Sequence, residues 1–226
     1  MASGVVVVTH EADNLRHTHA NIEAFDNAAF GAALNERLAH CMGHAGQWTS
    51  FVGSRGSRTH RQWAEGGAAH ARRHAGMTLV EALTESHDDA DTAYARARAI
   101  LTQYPGIKGF QGAASSDVIG IGRAVQEAGL QGKVCVVGTG LPSRTQALLD
   151  SGTVQGIGFW DPKNAGLAMN VVARLLLDKR PITDGMDLGV PGYQRVKVSR
   201  GAGGGWLIVG QAGVIVDKTS YKNYPF

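Results

Sequence analysis

Between Gln47 and Phe159 the chain repeats one pattern, a short apolar run followed by a longer stretch whose apolar residues recur three and four apart. The runs at 47–52, 78–83, 107–111, 133–137 and 154–159 are the length of strands. Between them, 59–74, 89–104, 116–128 and 143–150 read as helices. Strands that alternate with helices must run parallel and be joined by right-handed crossovers, so the fold class is α/β with a mostly parallel sheet. Such strands are covered on both faces, which is why they lack apolar/polar alternation.

The same logic applies at the start, where Val5-Val6-Val7-Val8 runs into the polar cluster Thr9-His10-Glu11-Ala12-Asp13-Asn14. An apolar β-branched run of this kind fits an inner strand, so the chain is read as beginning in mid-fold. A short extended piece at 21–25 follows, and Asp26 can cap a helix to about Met42, with Phe30, Leu34 and Leu38 on its apolar face and Gly43 closing it. Pro162 suits the first turn of a helix carrying Leu167, Val171, Val172, Leu175 and Leu176. From Gly189 the rhythm breaks, and 193–198, 206–209 and 214–216 read as antiparallel or crossover strands before an aromatic tail.

Composition excludes several classes. Hydrophobic residues make up 43% and charged residues 18% of 226, a globular balance rather than a disordered one. The formal charge of +3 is scattered along the chain, not gathered into a stripe, so no nucleic-acid partner is expected. No apolar run reaches the roughly 18 residues of a membrane span, and no membrane insertion is expected. Met1-Ala2-Ser3-Gly4 has neither the basic region nor the apolar stretch of a secretory leader. Cys41, in a helix, and Cys135, in a strand, are read as two unpaired buried thiols.

Signatures of catalysis and of cofactor binding are missing. There is no phosphate-cradling loop, no Gly-x-Ser-x-Gly elbow and no His-Glu-x-x-His, and no cofactor is expected. Gly120-Ile121-Gly122 lacks the third glycine of a dinucleotide loop and falls within a helix, where close packing explains it. His70 and His74, and Glu36, His40 and His44 beside Cys41, have the i, i+4 spacing of metal ligands. Arg72 and Arg73 crowd the first pair and Gly43 interrupts the second, so these are read as surface histidines and no metal is expected.

Polar and aromatic residues fall instead where strands end. Glu11 and Asp13 follow the first strand, 55–60 the second, 113–117 the fourth, and Trp160-Asp161 the sixth. In open α/β sheets ligands gather beyond the carboxyl ends of the strands. Bland roles exist for each: Asp117 or Asp161 could cap a helix, and Trp160 could be core. Together they suit a polyol, because carboxylates, hydroxyls and imidazoles hydrogen-bond to hydroxyl groups while an aromatic face packs on the C–H side of a sugar ring.

Thr9-His10-Glu11-Ala12-Asp13 resembles the strand-end segment of type I periplasmic sugar-binding proteins, in particular the autoinducer-2 and rhamnose-type solute-binding branch of ABC importers. The segments 51–54, 59–63, 112–115, 136–139 and 159–162, Asp184-Gly185-Met186-Asp187-Leu188, Val190-Pro191-Gly192 and the ending at Tyr224 and Phe226 fit the same branch. The resemblance implies a two-lobed periplasmic protein that closes on one small sugar or autoinducer-2-like ligand and presents it to an ABC permease, with no bond made or broken. Residues 1–25 and 162–198 would form a partial first lobe whose opening units are absent. Residues 26–161 and 199–226 would form the second lobe and the crossover strands.

By the same resemblance Glu11 and Asp13 would bind ligand from the first lobe, Thr59, His60, Ala113, Ser115 and Ser116 from the second, and Trp160 and Asp161 from the return crossing. The autoinducer-2 receptors would have Asp at Glu11, Asp-Gln at Thr59-His60 and Pro at Ala113, so a deoxyhexose or another small sugar fits at least as well. Two other readings remain open. One is the ligand-sensing domain of a transcription regulator, and the other an enzyme using Glu11 and Asp161 as an acid and base pair.

Overall fold

The computed structural model describes residues 4–226; Met1–Ser3, most of the segment read for a secretory leader, lie outside the described residues. Along the chain come β1 (Val8–His10), β2 (Ala20–Glu23), α1 (Asn27–Cys41), β3 (Ala45–Val52), α2 (Arg58–Ala71), β4 (Gly76–Glu85), α3 (Ala90–Gln103), β5 (Ile107–Gly112) and α4 (Asp117–Glu127). There follow β6 (Cys135–Thr139), α5 (Pro142–Asp150), β7 (Gly156–Phe159), α6 (Pro162–Leu177), β8 (Lys197–Arg200), β9 (Trp206–Val209) and β10 (Val214–Val216). Four of the helices, α2, α3, α5 and α6, begin where a short polar side chain or a proline can deal with the first N–H groups. Ser57 accepts from the His60 N–H at 3.5 Å, Asp89 from the Thr92 N–H at 2.7 Å, and Pro142 and Pro162 open α5 and α6.

The chain divides into two compact units. The first comprises residues 4–26 and 160–214 and carries the sheet β1-β2-β9-β8, in which β1, β2 and β9 are parallel and β8 is antiparallel to β9. Ala168, Val172 and Leu175 of α6 pack with Ala20, Ile22, Ile208 and Tyr193 to form its core.

Two expectations change here. The Val5–Val8 run is not itself the strand: the strand is Val8–His10, Val5 is 60% exposed, and among the described residues β1 has β2 as its one neighbour, the exposed edge expected of a strand whose preceding units are absent. The inner strand is β2, whose four residues are all buried although two are polar. Asn21 and Glu23 are admitted because they pair inside the sheet, the Asn21 Nδ2 donating to Glu23 Oε1 at 2.6 Å. In addition, residues 199–214, expected among the second lobe and crossover strands, lie in the first unit, since β9 pairs with β2.

The second unit comprises Asn27–Phe159 and Ile215–Phe226 around the sheet β10-β7-β6-β5-β3-β4. Its pairs β3–β4, β3–β5, β5–β6 and β6–β7 are all parallel, as the βα alternation requires. Helices α1 and α2 approach closely because glycine leaves room: a Cβ on Gly31 would stand 1.9 Å from the Trp63 carbonyl oxygen. Gly120 has the same role in α4, where a Cβ would meet the Ala90 carbonyl oxygen at 2.3 Å.

The cysteines are not free. Cys41 and Cys135 form a disulfide, with Cα atoms 6.1 Å apart, because the end of α1 lies over the start of β6, where Leu38, Met42, Cys135 and Val137 share one cluster. Of the histidines, His44 and His74 lie beyond the helix ends, and their rings adjoin with centroids 4.6 Å apart and planes tilted by 35°. Among the described residues no three His, Cys, Asp or Glu side chains are placed to hold a metal ion. No helix among them is long and apolar enough to cross a membrane.

Candidate functional site

In the first unit the strand-end residues form a polar edge. Beyond His10 the chain turns through Glu11, whose φ of 55° places it in the left-handed region, while its N–H donates to the Ile22 carbonyl at 3.2 Å. Asn21 ties this turn to β2, its Oδ1 accepting from Thr9 Oγ1 at 2.8 Å and from the Ala12 N–H at 2.9 Å. Its amide donates to Glu23, so both of its ends serve to position others. Two glutamates thus share one edge. Burial, and then the charge of Glu23, push the Glu11 carboxyl up to about 8.

An aromatic wall adjoins them. The Trp160 ring lies 5.8 Å from that of His10 and 5.8 Å, edge-on, from that of Phe25. Burial lowers the His10 pKa. Asp161 caps α6, accepting from the Lys163 N–H at 2.8 Å, so its bland role is present alongside any other. Asp13 is half-buried in the turn after Glu11. Tyr193 is fully buried, and burial, then Glu11, Glu23 and Asp161, raise its hydroxyl to about 12.

The second unit has an edge of its own. His60, in the first turn of α2, accepts from the Gly53 N–H through Nδ1 at 3.2 Å, and burial lowers its pKa against the opposing pull of Asp88. Thr59 beside it is buried. Beyond β5, the Ala113 and Ala114 N–H groups donate to Asp117 Oδ2 at 3.0 and 2.8 Å, which fixes the backbone on which Ser115 and Ser116 stand. Burial pushes Asp117 up to about 6, opposed by the nearby Ser86 hydroxyl and by these two N–H groups. The Ser86 hydroxyl itself donates to the Val52 carbonyl, and Asp117 Oδ1 keeps no donor of its own.

Six buried side-chain polar atoms among the described residues lack a hydrogen-bond partner: His10 Nε2, Trp48 Nε1, Ser116 Oγ, Asp117 Oδ1, Thr139 Oγ1 and Tyr193 Oη. Four of them, those of His10, Ser116, Asp117 and Thr139, lie at the carboxyl ends of β1, β5 and β6. Buried polar groups are normally paired, so orphans gathered in one kind of place call for an explanation.

The expected residues divide between the units, Glu11, Asp13, Trp160 and Asp161 in the first and Thr59, His60, Ala113, Ser115 and Ser116 in the second. Sequence reasoning missed Asn21, Glu23, Tyr193 and Thr139. Thr139 ends β6 and the strand-end rule could have found it; Tyr193 stands outside the βα repeat and carries no local signal.

Residues 1–181 match the family described as periplasmic binding protein domain. The chain belongs to this family. Its architecture is the type I periplasmic-binding-protein fold, mixed α/β with parallel sheets. The D-allose-binding periplasmic protein of Escherichia coli K12 is 28% identical over 160 residues, 69% of this chain and 51% of that protein. The chain spans about half the length of this curated relative. Among solved structures, LsrB from Clostridium saccharobutylicum in complex with AI-2 has a TM-score of 0.85 at 16% identity, covering 100% of this chain and 76% of that one. An ABC transporter solute-binding protein from Clostridium phytofermentas with bound L-rhamnose has a TM-score of 0.85 at 18% identity, covering 98% and 72%. At these identities the two structures establish that this periplasmic binding protein domain shares their fold.

Proposed function

We propose that this chain is the solute-binding component of an ABC importer, holding a small sugar or autoinducer-2-like ligand on its strand-end residues and passing it unchanged to a membrane permease. The observation that carries this reading is the gathering of partnerless buried polar atoms at the strand ends of both units. Such groups suit a ligand rich in hydroxyls, which both donates and accepts. Glu11, Asp13, Trp160 and Asp161 are proposed as contacts in the first unit, and Thr59, His60, Ala113, Ser115 and Ser116 in the second.

The names of the relatives favour transport over the regulatory reading. Glu11, Thr59, His60 and Ala113, where the autoinducer-2 receptors would carry other residues, favour a neutral sugar over autoinducer-2. A periplasmic location is supported by the family and by the Cys41–Cys135 disulfide, since disulfides persist in oxidising compartments.

Calorimetric titration against D-allose, L-rhamnose and autoinducer-2 tests the proposal. Saturable binding of a neutral sugar, recovered chemically unchanged, is expected, and Trp160→Ala should weaken it about tenfold or more, as loss of a stacking face does. Absence of heat with every ligand, for the product of the whole coding sequence, would sink it. A sugar recovered as a different compound would instead revive the acid and base pair of Glu11 and Asp161.

A further inference from the structure

We propose that His70 and His74, at the end of α2, bind a divalent transition-metal ion of the zinc class through one imidazole nitrogen each, with water completing the shell. The pair lies within the second unit, at the opposite end of α2 from Thr59 and His60, and its ligand is independent of any sugar.

A chain of hydrogen bonds fixes which nitrogen His70 offers. Gln111, on β5, donates through Nε2 to the Gly31 carbonyl at 3.2 Å, so its Oε1 is left to accept from Asn35 Nδ2 at 2.9 Å. Asn35 therefore turns its Oδ1 toward His70, and the His70 Nδ1, 3.0 Å from that oxygen, must carry the proton. The lone pair of the neutral ring is then on Nε2. Asn35 and Gln111 are 0% and 2% exposed, so the core itself holds the ring in this orientation. Metal-bound histidines are commonly set in the same way, the other nitrogen donating to an oxygen of the protein.

His74 comes alongside because the chain keeps winding after α2 ends. The Arg73 N–H donates to the His70 carbonyl at 2.9 Å and the His74 N–H to the Ala71 carbonyl at 3.0 Å. The two rings thereby reach a centroid separation of 5.2 Å. Two imidazoles that hold one ion through nitrogens about 2.0–2.1 Å away, at roughly the tetrahedral angle, have centroids about 5.2 Å apart. His40 and His44, at 6.3 Å, are too far apart for this, and His44 and His74, at 4.6 Å, too close. Among the described residues no third side chain is placed to join the pair, so water takes the remaining positions. Both rings are partly exposed and open to an ion from solvent, while Arg72 and Arg73 are exposed, so water and salt screen their charge. Imidazole suits zinc and its transition-metal neighbours, whereas calcium and magnesium take oxygen.

Calorimetric titration of Zn²⁺ into the chelator-treated full chain tests this. One ion should bind saturably in the micromolar range, and Mg²⁺ should give no heat. His74→Ala should weaken zinc at least about tenfold, the least that even a supporting residue is worth at a metal, with an unchanged metal-free thermal midpoint. His70→Ala should weaken it as much, and His40→Ala should not weaken it. Zinc should raise the thermal midpoint of wild type and not that of His74→Ala. Absence of saturable zinc binding overturns the inference, as does a His74→Ala variant that binds as wild type does. Loss on His44→Ala with none on His70→Ala overturns the choice of pair. If His70→Ala fails to fold for want of its bond to Asn35, the His74 variant decides.

Discussion

Cys41, the last residue of α1, is bonded to Cys135, the first residue of β6, across 94 residues of sequence. The bond closes a long loop in the unfolded chain, so its removal restores the entropy of that loop. Double substitution of the two cysteines by alanine should lower stability by about 2–5 kcal/mol. Urea unfolding with and without reductant checks this, and identical midpoints would contradict it.

Gly31 stands where α1 meets the backbone of α2, and the Trp63 carbonyl that its Cβ would strike cannot swing aside. Gly31→Ala should therefore force the two helices apart and destabilise by roughly 1–3 kcal/mol, the usual range for overpacking. Gly166, inside α6 with nothing within 4 Å of its would-be Cβ, provides the control. There alanine should stabilise by about 0.5–1 kcal/mol, because glycine loses the most freedom on entering a helix. Thermal melts of the two variants should move in opposite directions.

Glu11 makes stability fall as pH rises. Its carboxyl goes from 4.5 in an open environment to about 8 in the folded chain. Below the lower value it is protonated in both states and contributes no penalty. Between the two values the unfolded chain ionises while the folded chain holds the proton, so folding loses ground steadily up to about 8. Thermal midpoints measured from acid to mildly basic pH should drop more steeply for wild type than for Glu11→Gln; parallel curves would show that Glu11 is not the cause.

Asp117 holds the strand-end backbone of β5 through the N–H groups of Ala113 and Ala114. Asp117→Ala leaves both donors buried without an acceptor and should cost about 1–3 kcal/mol, with Asp117→Asn recovering most of it through its carbonyl oxygen. Because Ser115 and Ser116 stand on this backbone, sugar affinity measured by calorimetry should follow the same order. An alanine variant as stable as wild type would refute the bracing role.

Much of this was legible because it is local. Ser57, Asp89, Pro142 and Pro162 act within one turn of their own positions, and the strand runs of the second unit are apolar because parallel strands are covered on both faces. The strand-end rule placed Glu11, His60, Ser116 and Trp160 at the carboxyl ends of their sheets for the same reason: in a βα repeat, chain direction alone says where each loop emerges. Val5–Val8 misled as to the strand's bounds because a buried strand and an exposed lead-in to a short strand can share one composition.

Periodicity thus sufficed for the α/β class, the order of elements, and the polar loops that a ligand would meet, since each depends on residues a few positions apart. The folded chain alone decided that β2 is buried within its sheet, that β9 joins it, that Cys41 meets Cys135, and that Tyr193 shares a core cluster with Ile22 and Ile208. These pairings depend on which distant segments pack together. Their energy comes from burial and from hydrogen bonds between groups far apart in the chain, and neither leaves a local pattern to read.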